Sequence, residues 1–270
     1  MFRGKFPDLS DNLSLASLTK EFKSFFYSPI AYVILALFTA LTGVFFYLYL
    51  SSFVEAAFMD MIRSQQYRMA PQKFNVNLML IRPYFWNIAL ISLFTLPTIT
   101  MRLYSEEKRL GTVELLYTTP ITPLQIVLGK FLAGVAFYIV LLIPTMFFQA
   151  LLFIYGDPEF LPVLSGYIGL ILLGSAFISV GLFISTTTEN QIIAAIGGFG
   201  MSLLLWVVGW GANFVGPTLK PILNYISIIN HFEDFAQGVV DSSHLAYYVL
   251  FVIVGLYFSL KMVESVKWRA

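Results

Sequence analysis

Six long runs without a charged residue divide this chain of 270 residues. They lie between Lys23 and Glu55, Arg82 and Arg102, Lys130 and Asp157, Glu159 and Glu189, Glu189 and Lys220, and Asp241 and Lys261, and they hold 19 to 31 residues each. An α-helix needs about 20 apolar residues to cross the hydrocarbon core of a bilayer. Each run is therefore long enough for one membrane span, and none is long enough for two spans joined by a turn.

One helix in each run predicts an all-α polytopic membrane protein, with residues 1–270 as a single transmembrane domain. The predicted spans lie near residues 30–50, 84–102, 127–154, 164–186, 191–212 and 245–264. The composition agrees, since 58% of the residues are hydrophobic and 11% are charged, whereas about a quarter of the residues in a soluble domain are charged. A chain with so little polar surface must turn its excess apolar surface towards lipid.

Lys and Arg are distributed unevenly between the two sides of this arrangement. If the N-terminus is cytoplasmic, the inner segments hold eleven Lys and Arg residues and the outer segments hold five. Basic residues are enriched in cytoplasmic loops. The bias predicts that both termini are cytoplasmic, although four of the five outer bases fall in one loop, residues 51–83.

Three segments outside the spans have their own character. In residues 13–27, Leu15, Leu18, Phe22 and Phe25 recur on one helical stripe, which is typical of an amphipathic helix in the membrane interface or of a cytosolic helix packed on the protein. The loop 51–83 is too polar to span, and we expect a short helix around residues 53–68. Residues 213–244 contain helix-breaking Gly and Pro and an apolar stretch too short to cross, which predicts a pair of short re-entrant or interfacial helices at the outer face.

The sequence holds few residues suited to catalysis or to metal binding. It has no Cys, no phosphate-binding loop, no basic patch interleaved with aromatic residues for nucleic acid, and no acidic residue within the uncharged runs for ion coupling. His231 and His244 lie near Glu233, Asp234 and Asp241, which leaves a metal site or a membrane-embedded enzyme as minor alternatives. We therefore expect no enzymatic activity, metal or cofactor in this chain.

Small residues recur at four-residue spacing in two of the predicted spans. Ala194, Gly198 and Ser202 do so in the fifth span, and Ser175 and Ser179 in the fourth. Such spacing lets helix backbones approach closely. It is compatible with packing inside one bundle and with an interface between two copies.

The segment 103–123 between the second and third spans is a charged interlude in an apolar chain. It predicts a polar helical extension over Ser105 to Arg109, which Gly111 ends, and then a short helix over 112–118 with Thr112 as its cap. The third span should begin at Thr122, with a capping box to Gln125 and Pro at the first helical position. A structured charged segment between two spans indicates a partner in water.

The same region carries a motif that resembles the signature of type-2 ABC transporter permeases. Its residues are Arg102, Glu106, Glu107, Lys108, Gly111, Thr112, Glu114, Leu116, Pro120, Ile121, Ile126, Val127, Gly129 and Lys130. The segments KEFKSFFYSPIAYVILALFTALTGVFF and LNYISIINHFEDFAQGVVD also resemble the branch that includes the gliding-motility and copper-site-maturation (Gld/Nos-type) permeases.

The resemblance implies a permease subunit of an ATP-driven exporter in the bacterial inner membrane. The short segment would be a coupling helix seated in a separate ABC ATPase, which would hold the ATP and Mg. Two ATPase and two permease subunits would assemble in lipid as a homodimer or heterodimer of permeases, and a periplasmic accessory protein is a further candidate partner. The implied ATPase contacts are Ser105, Glu106, Glu107, Arg109, Gly111, Thr112, Glu114, Leu115, Leu116, Thr119 and Pro120. A membrane anchor that recruits a cytosolic protein without transport is the alternative.

Overall fold

The computed structural model describes residues 21–67, 70, 75–112, 122–156, 158–212 and 214–267. Residues 21–27 are helical and lead into the first long helix. The elements that follow are α1 (Pro29–Tyr67), a π-helical turn (Asn77–Ile81), α2 (Arg82–Thr100), α3 (Ser105–Leu110), α4 (Pro123–Tyr155), α5 (Phe160–Thr187), α6 (Gln191–Gly211), α7 (Lys220–Ile226), α8 (Ile228–Gln237) and α9 (Ser242–Lys267).

Six helices in the described part of the chain are long and apolar enough to cross a membrane, which confirms the predicted number of spans. They are α1, α2, α4, α5, α6 and α9. The short helix α3 lies at one end of the bundle and α8 at the other, so we name these the α3 end and the α8 end. The remaining part of the predicted interfacial helix, residues 13–20, lies outside the described residues.

The first long helix differs from the prediction of a span followed by a separate short helix. Instead, α1 runs without interruption for 39 residues. At 1.5 Å per residue it is about 58 Å long, about twice the thickness of the hydrocarbon core. Residues 51–67 contain neither Gly nor Pro, so no residue in this stretch breaks the helix, and polarity alone was the wrong criterion for its end.

Helix α5 lies at the centre of the bundle and packs against α2, α4, α6, α8 and α9. Its glycines allow this because neighbouring side chains occupy the space that a Cβ would fill: Gly174 faces the ring of Tyr138, and Gly181 faces Thr100. In a membrane, where lipid is as apolar as Leu, close van der Waals packing of this kind holds helices together.

The small residues of α6 pack inside the chain. Ala194, Gly198 and Ser202 are all buried, and a Cβ on Gly198 would lie 3.5 Å from the Cα of Gly181 on α5. On α5 itself, Ser179 is fully buried. The structure therefore uses this spacing for packing within one bundle.

Two short helices occupy the region between the last two spans. Helix α8 turns one face into the bundle, burying Ile228, Phe232 and Phe235. It is fixed to α5, because the Ser165 hydroxyl donates to the carbonyl of Phe235 at 2.8 Å. The two short helices lie within residues 213–244, of which Asn213 is outside the described residues, and their re-entrant or interfacial position at the outer face stays a prediction.

We expect Gly174→Ala to destabilise the bundle by about 2 kcal/mol, since the new methyl group would overlap the Tyr138 ring inside a packed core. Gly200→Ala on α6 is the matched control, because nothing lies within 4 Å of its Cβ position, and Ala favours a helix by about 1 kcal/mol over Gly. Thermal unfolding of both variants in lipid or detergent measures the difference. Equal stability of the two variants would contradict the close packing.

Candidate functional site

Helix α3 is short but fixed at both ends. At its start, the backbone amides of Tyr104 and Ser105 both donate to the hydroxyl of Ser185, at 3.0 Å each. At its end, Gly111 takes the left-handed conformation with φ +67°, and its amide donates to the carbonyl of Lys108 while that of Thr112 donates to Glu107. This is a Schellman turn, and it satisfies carbonyls that the end of a helix leaves unpaired.

A buried lysine joins α3 to two other parts of the chain. Lys130, in the second turn of α4, has a side chain that is 2% exposed. Its ammonium group lies 2.7 Å from a carboxylate oxygen of Glu107 on α3 and 3.2 Å from one of Glu21 in the helix before α1. Removing a charge from water is unfavourable unless it is paired with good geometry. The two carboxylates meet that need and tie three separate elements together.

A second lysine ties α3 to the end of α5. The ammonium group of Lys108 donates to the carbonyl of Thr186 at 2.7 Å, one of the carbonyls that α5 leaves unpaired at its C-terminus. Burial lowers the pKa of Lys108, and the nearby Glu189 acts in the opposite direction. Together with Ser185, this contact attaches α3 to the C-terminal turn of the central helix.

A cavity of about 310 Å³ lies beside this cluster. Its lining is mixed. The charged side chains are those of Glu21, Arg102, Glu106, Glu107 and Lys130, and Phe25 and Leu103 contribute apolar surface. Arg102 also donates to the hydroxyl of Ser28 at 3.2 Å. Both α3 and the N-terminal helix line the cavity, and Lys130 on α4 pairs with Glu107 of the first and Glu21 of the second.

The structure divides the predicted contact residues into groups with different surroundings. Ser105 is buried, Glu107 is held by Lys130, Glu106 lines the cavity, and Arg109 and Gly111 are exposed. The hydroxyl of Thr112 donates to the carbonyl of Glu107 at 3.3 Å. The remaining predicted contact residues lie outside the described residues, and they are Glu114, Leu115, Leu116, Thr119 and Pro120. Residues 113–118 of the short helix predicted over 112–118 lie outside the described residues as well.

The predicted start of the third span is confirmed. Thr122 and Gln125 form a reciprocal capping box, and Pro123 is the first helical residue. The sequence analysis missed Glu21, Lys130 and Ser185 as members of the site. Lys130 carried a usable signal, because a lone charge that far inside an apolar helix needs a partner of opposite charge.

The polar cluster at the α8 end separates into individual contacts. Glu233 pairs with Arg82 at the start of α2, and Asp241 accepts from the amide of Ser243. Of the three acidic residues, Asp234 is the one hydrogen-bonded to a histidine. It contacts His244, which in turn contacts His231. Among the described residues, no group of three or more potential ligands is arranged to hold a metal ion.

We expect Lys130→Gln to destabilise the protein by about 3 kcal/mol, because it leaves two largely buried carboxylates without a cation. In a double-mutant cycle with Glu107→Gln, the coupling energy should be about 1–2 kcal/mol. Unfolding titrations in mixed micelles measure both values. The exposed pair Lys261 and Glu264 is the matched control, with an expected coupling below about 0.5 kcal/mol. Similar coupling energies for the two pairs would contradict a structural role for Lys130.

Comparison with known families identifies the chain. The model of the ABC-2 family transporter protein matches residues 15–264, which is nearly the whole length. The search among curated proteins returned no match. The match covers all six spans and the α3 segment between the second and third. The chain therefore belongs to the ABC-2 family of transporter proteins, as a multi-pass membrane protein and the transmembrane component of an ABC transporter.

Proposed function

We propose that this chain is the permease subunit that converts ATP hydrolysis by a separate ABC ATPase into movement of its spans, with export as the direction. The observation that carries the proposal is the attachment of α3. It is tied to α4 and the N-terminal helix through Lys130, and to α5 through Ser185 and Thr186. A segment fixed in this way passes a displacement by a docked partner on to the spans, because it cannot move independently of them.

The path from α3 into the bundle runs through α5. This helix has 28 residues, and its length is about 42 Å. One end contacts α3, and the other end contacts α8, through the Ser165 to Phe235 hydrogen bond and the close approach at Gly169. Since packed helices move as rigid units, a displacement at one end of α5 is passed to the opposite side of the membrane.

In this proposal the α3 end faces the cytoplasm of a bacterium and the protein lies in the inner membrane. The excess of Lys and Arg on that side supports the orientation. The segment 112–118 would be the coupling helix in the ATPase groove, and α7 and α8 would form the re-entrant pair at the outer face. Two copies of each subunit would assemble, as in the Gld/Nos-type branch that the sequence resembles, with a periplasmic accessory protein as a further candidate. The cargo would be apolar or lipid-linked, or the motion itself would be the output.

The orientation and the docking site are tested together by cross-linking in a chain that has no Cys. We expect Arg109→Cys, exposed at the end of α3, to cross-link to the co-expressed ATPase subunit through a thiol- and amine-reactive reagent. Phe214→Cys is the control, since its side chain is 90% exposed but lies at the α8 end. Mass spectrometry identifies the products. Cross-linking from Phe214→Cys and none from Arg109→Cys would reverse the proposed orientation.

The coupling role of residues 112–118 is tested with a variant that still binds the ATPase but should no longer show ATP-dependent motion of the spans. We expect one Gly inserted after Thr112 to leave the ATPase bound and to remove ATP-dependent motion, because the insertion lies outside the Lys130–Glu107 contact. The readout is the distance between spin labels on Phe214→Cys in the two permease copies, with and without ATP, in proteoliposomes. Glu264→Lys, an exposed reversal near the C-terminus, should leave the distance change intact.

The outcomes of this second experiment distinguish the two functions. A distance change that survives disruption of residues 112–118 contradicts the coupling role of the segment. An ATPase that binds the unmodified chain without any ATP-dependent distance change supports a membrane anchor.

A further inference from the structure

The two histidines of the chain meet at the α8 end in one continuous series of hydrogen bonds. The Nδ1 atoms of His231 on α8 and His244 on α9 are 2.6 Å apart. His244 Nε2 lies 2.6 Å from a carboxylate oxygen of Asp234, and His231 Nε2 lies 2.9 Å from the carbonyl oxygen of Tyr225 on α7. The series therefore links α7, α8 and α9 at the α8 end of the bundle.

The geometry assigns the protons. The Tyr225 carbonyl can only accept, so His231 carries a proton on Nε2, and its Nδ1 is an acceptor when the ring is neutral. His244 must then donate from Nδ1 to His231. Its Nε2 faces Asp234, and with an ionised carboxylate it donates there too. The hydrogen bond between the two rings therefore requires the neutral form of His231.

The surroundings favour the neutral form of His231. Its ring is stacked on Tyr247 at 3.8 Å and meets the edge of Tyr225 at 5.5 Å. Burial lowers the pKa of His231, the charge on His244 lowers it further, and the Tyr225 carbonyl and Asp234 act in the opposite direction.

The other titratable groups near His231 make contacts of their own. Tyr247 and Tyr248 on α9 donate their hydroxyl groups to the carbonyls of Ile226 and Ile228. Asp241, in the connection to α9, is an exposed carboxylate, and the amide and hydroxyl of Ser243 lower its pKa. Glu233 is directed away from the histidines towards Arg82.

We propose that the series Tyr225–His231–His244–Asp234 is an acid-sensitive latch that holds α7 and α8 against α9. A second proton on His231 would occupy Nδ1. It would then face the N–H on Nδ1 of His244, and the hydrogen bond between the rings would be replaced by repulsion between two donors. The inference concerns the α8 end alone and stands whether or not the proposed function is correct.

The direction of the pH effect follows from linkage. The latched state holds His231 with a lowered pKa, whereas in the open state the ring returns towards the ordinary value of 6.5. The open state therefore takes up a proton more readily in acid, so the latch is stable above about pH 6.5 and weakens as the pH falls. The His231 proton by itself contributes an increase in the opening equilibrium of up to about thirtyfold between pH 7.5 and 5.0.

The first test needs no variant, because the chain has only two His. In the full-length chain labelled with ¹⁵N-histidine in lipid nanodiscs, we expect four ring-nitrogen signals at pH 7.5. They should report a neutral His231 ring with its proton on Nε2, a proton on Nδ1 of His244, and a nitrogen–nitrogen coupling across the hydrogen bond between them. The absence of that coupling, or a His231 that titrates at or above 6.5, would overturn the proposal.

The second test measures opening. We expect amide hydrogen exchange in residues 220–245 to rise on going from pH 7.5 to 5.0, after correction for intrinsic exchange rates, by up to about thirtyfold. His231→Gln should remove this pH response, because the amide side chain does not titrate in this range. The control Glu233→Gln breaks the pair with Arg82 on the same helix and should raise exchange at both pH values without changing their ratio. A pH response that persists in His231→Gln would rule out the latch.

Discussion

The fold depends on how closely other helices can approach α5. In lipid there is no hydrophobic gain from burying one apolar helix against another, so association rests on contact at van der Waals distance. The side chains of Tyr138, Thr100 and Phe235 occupy positions where a Cβ on α5 would otherwise project. Three neighbouring elements, α4, α2 and α8, are thereby placed around one axis. Helix α3 at one end of the bundle and α8 at the other are both attached to that same helix.

Lys130 is a buried charge that is unfavourable by itself but gives a specific contact when it is paired. A buried ammonium group would destabilise the protein if it were alone, and with two carboxylates it becomes a specific three-way contact. Apolar residues could pack there with similar stability, but they would not require Glu21 and Glu107 to be present together. The pairing therefore fixes the relative placement of the N-terminal helix, α3 and α4.

The sequence predicted the spans well because the physical rule behind them is simple. A charge-free run of sufficient length has few alternatives in a membrane protein, and all six predicted spans are helices of the structure. The capping box at the start of the third span could be predicted equally well, since Thr122 and Gln125 are three positions apart. The continuation of α1 to Tyr67 was not predicted, because polarity was taken as the end of the helix although residues 51–67 contain neither Gly nor Pro.

The contacts of the candidate site were harder to predict, because they join residues far apart in the chain. Glu21 and Lys130 are separated by 109 positions, and Ser105 and Ser185 by 80. No local pattern encodes such a pair. The contact between His231 and His244 could not be predicted either. The sequence showed that both histidines lie near acidic residues, but the packing of α8 on α9 decides which ring nitrogen contacts which partner.

The Schellman turn at Gly111 and the capping box at Thr122 have a joint mechanical consequence. The first sets the direction in which the chain leaves α3, and the second sets the direction in which it enters α4. The connection between them therefore starts and ends at positions of defined direction. One end is joined through α3 to the second span, and the other is the first turn of the third span.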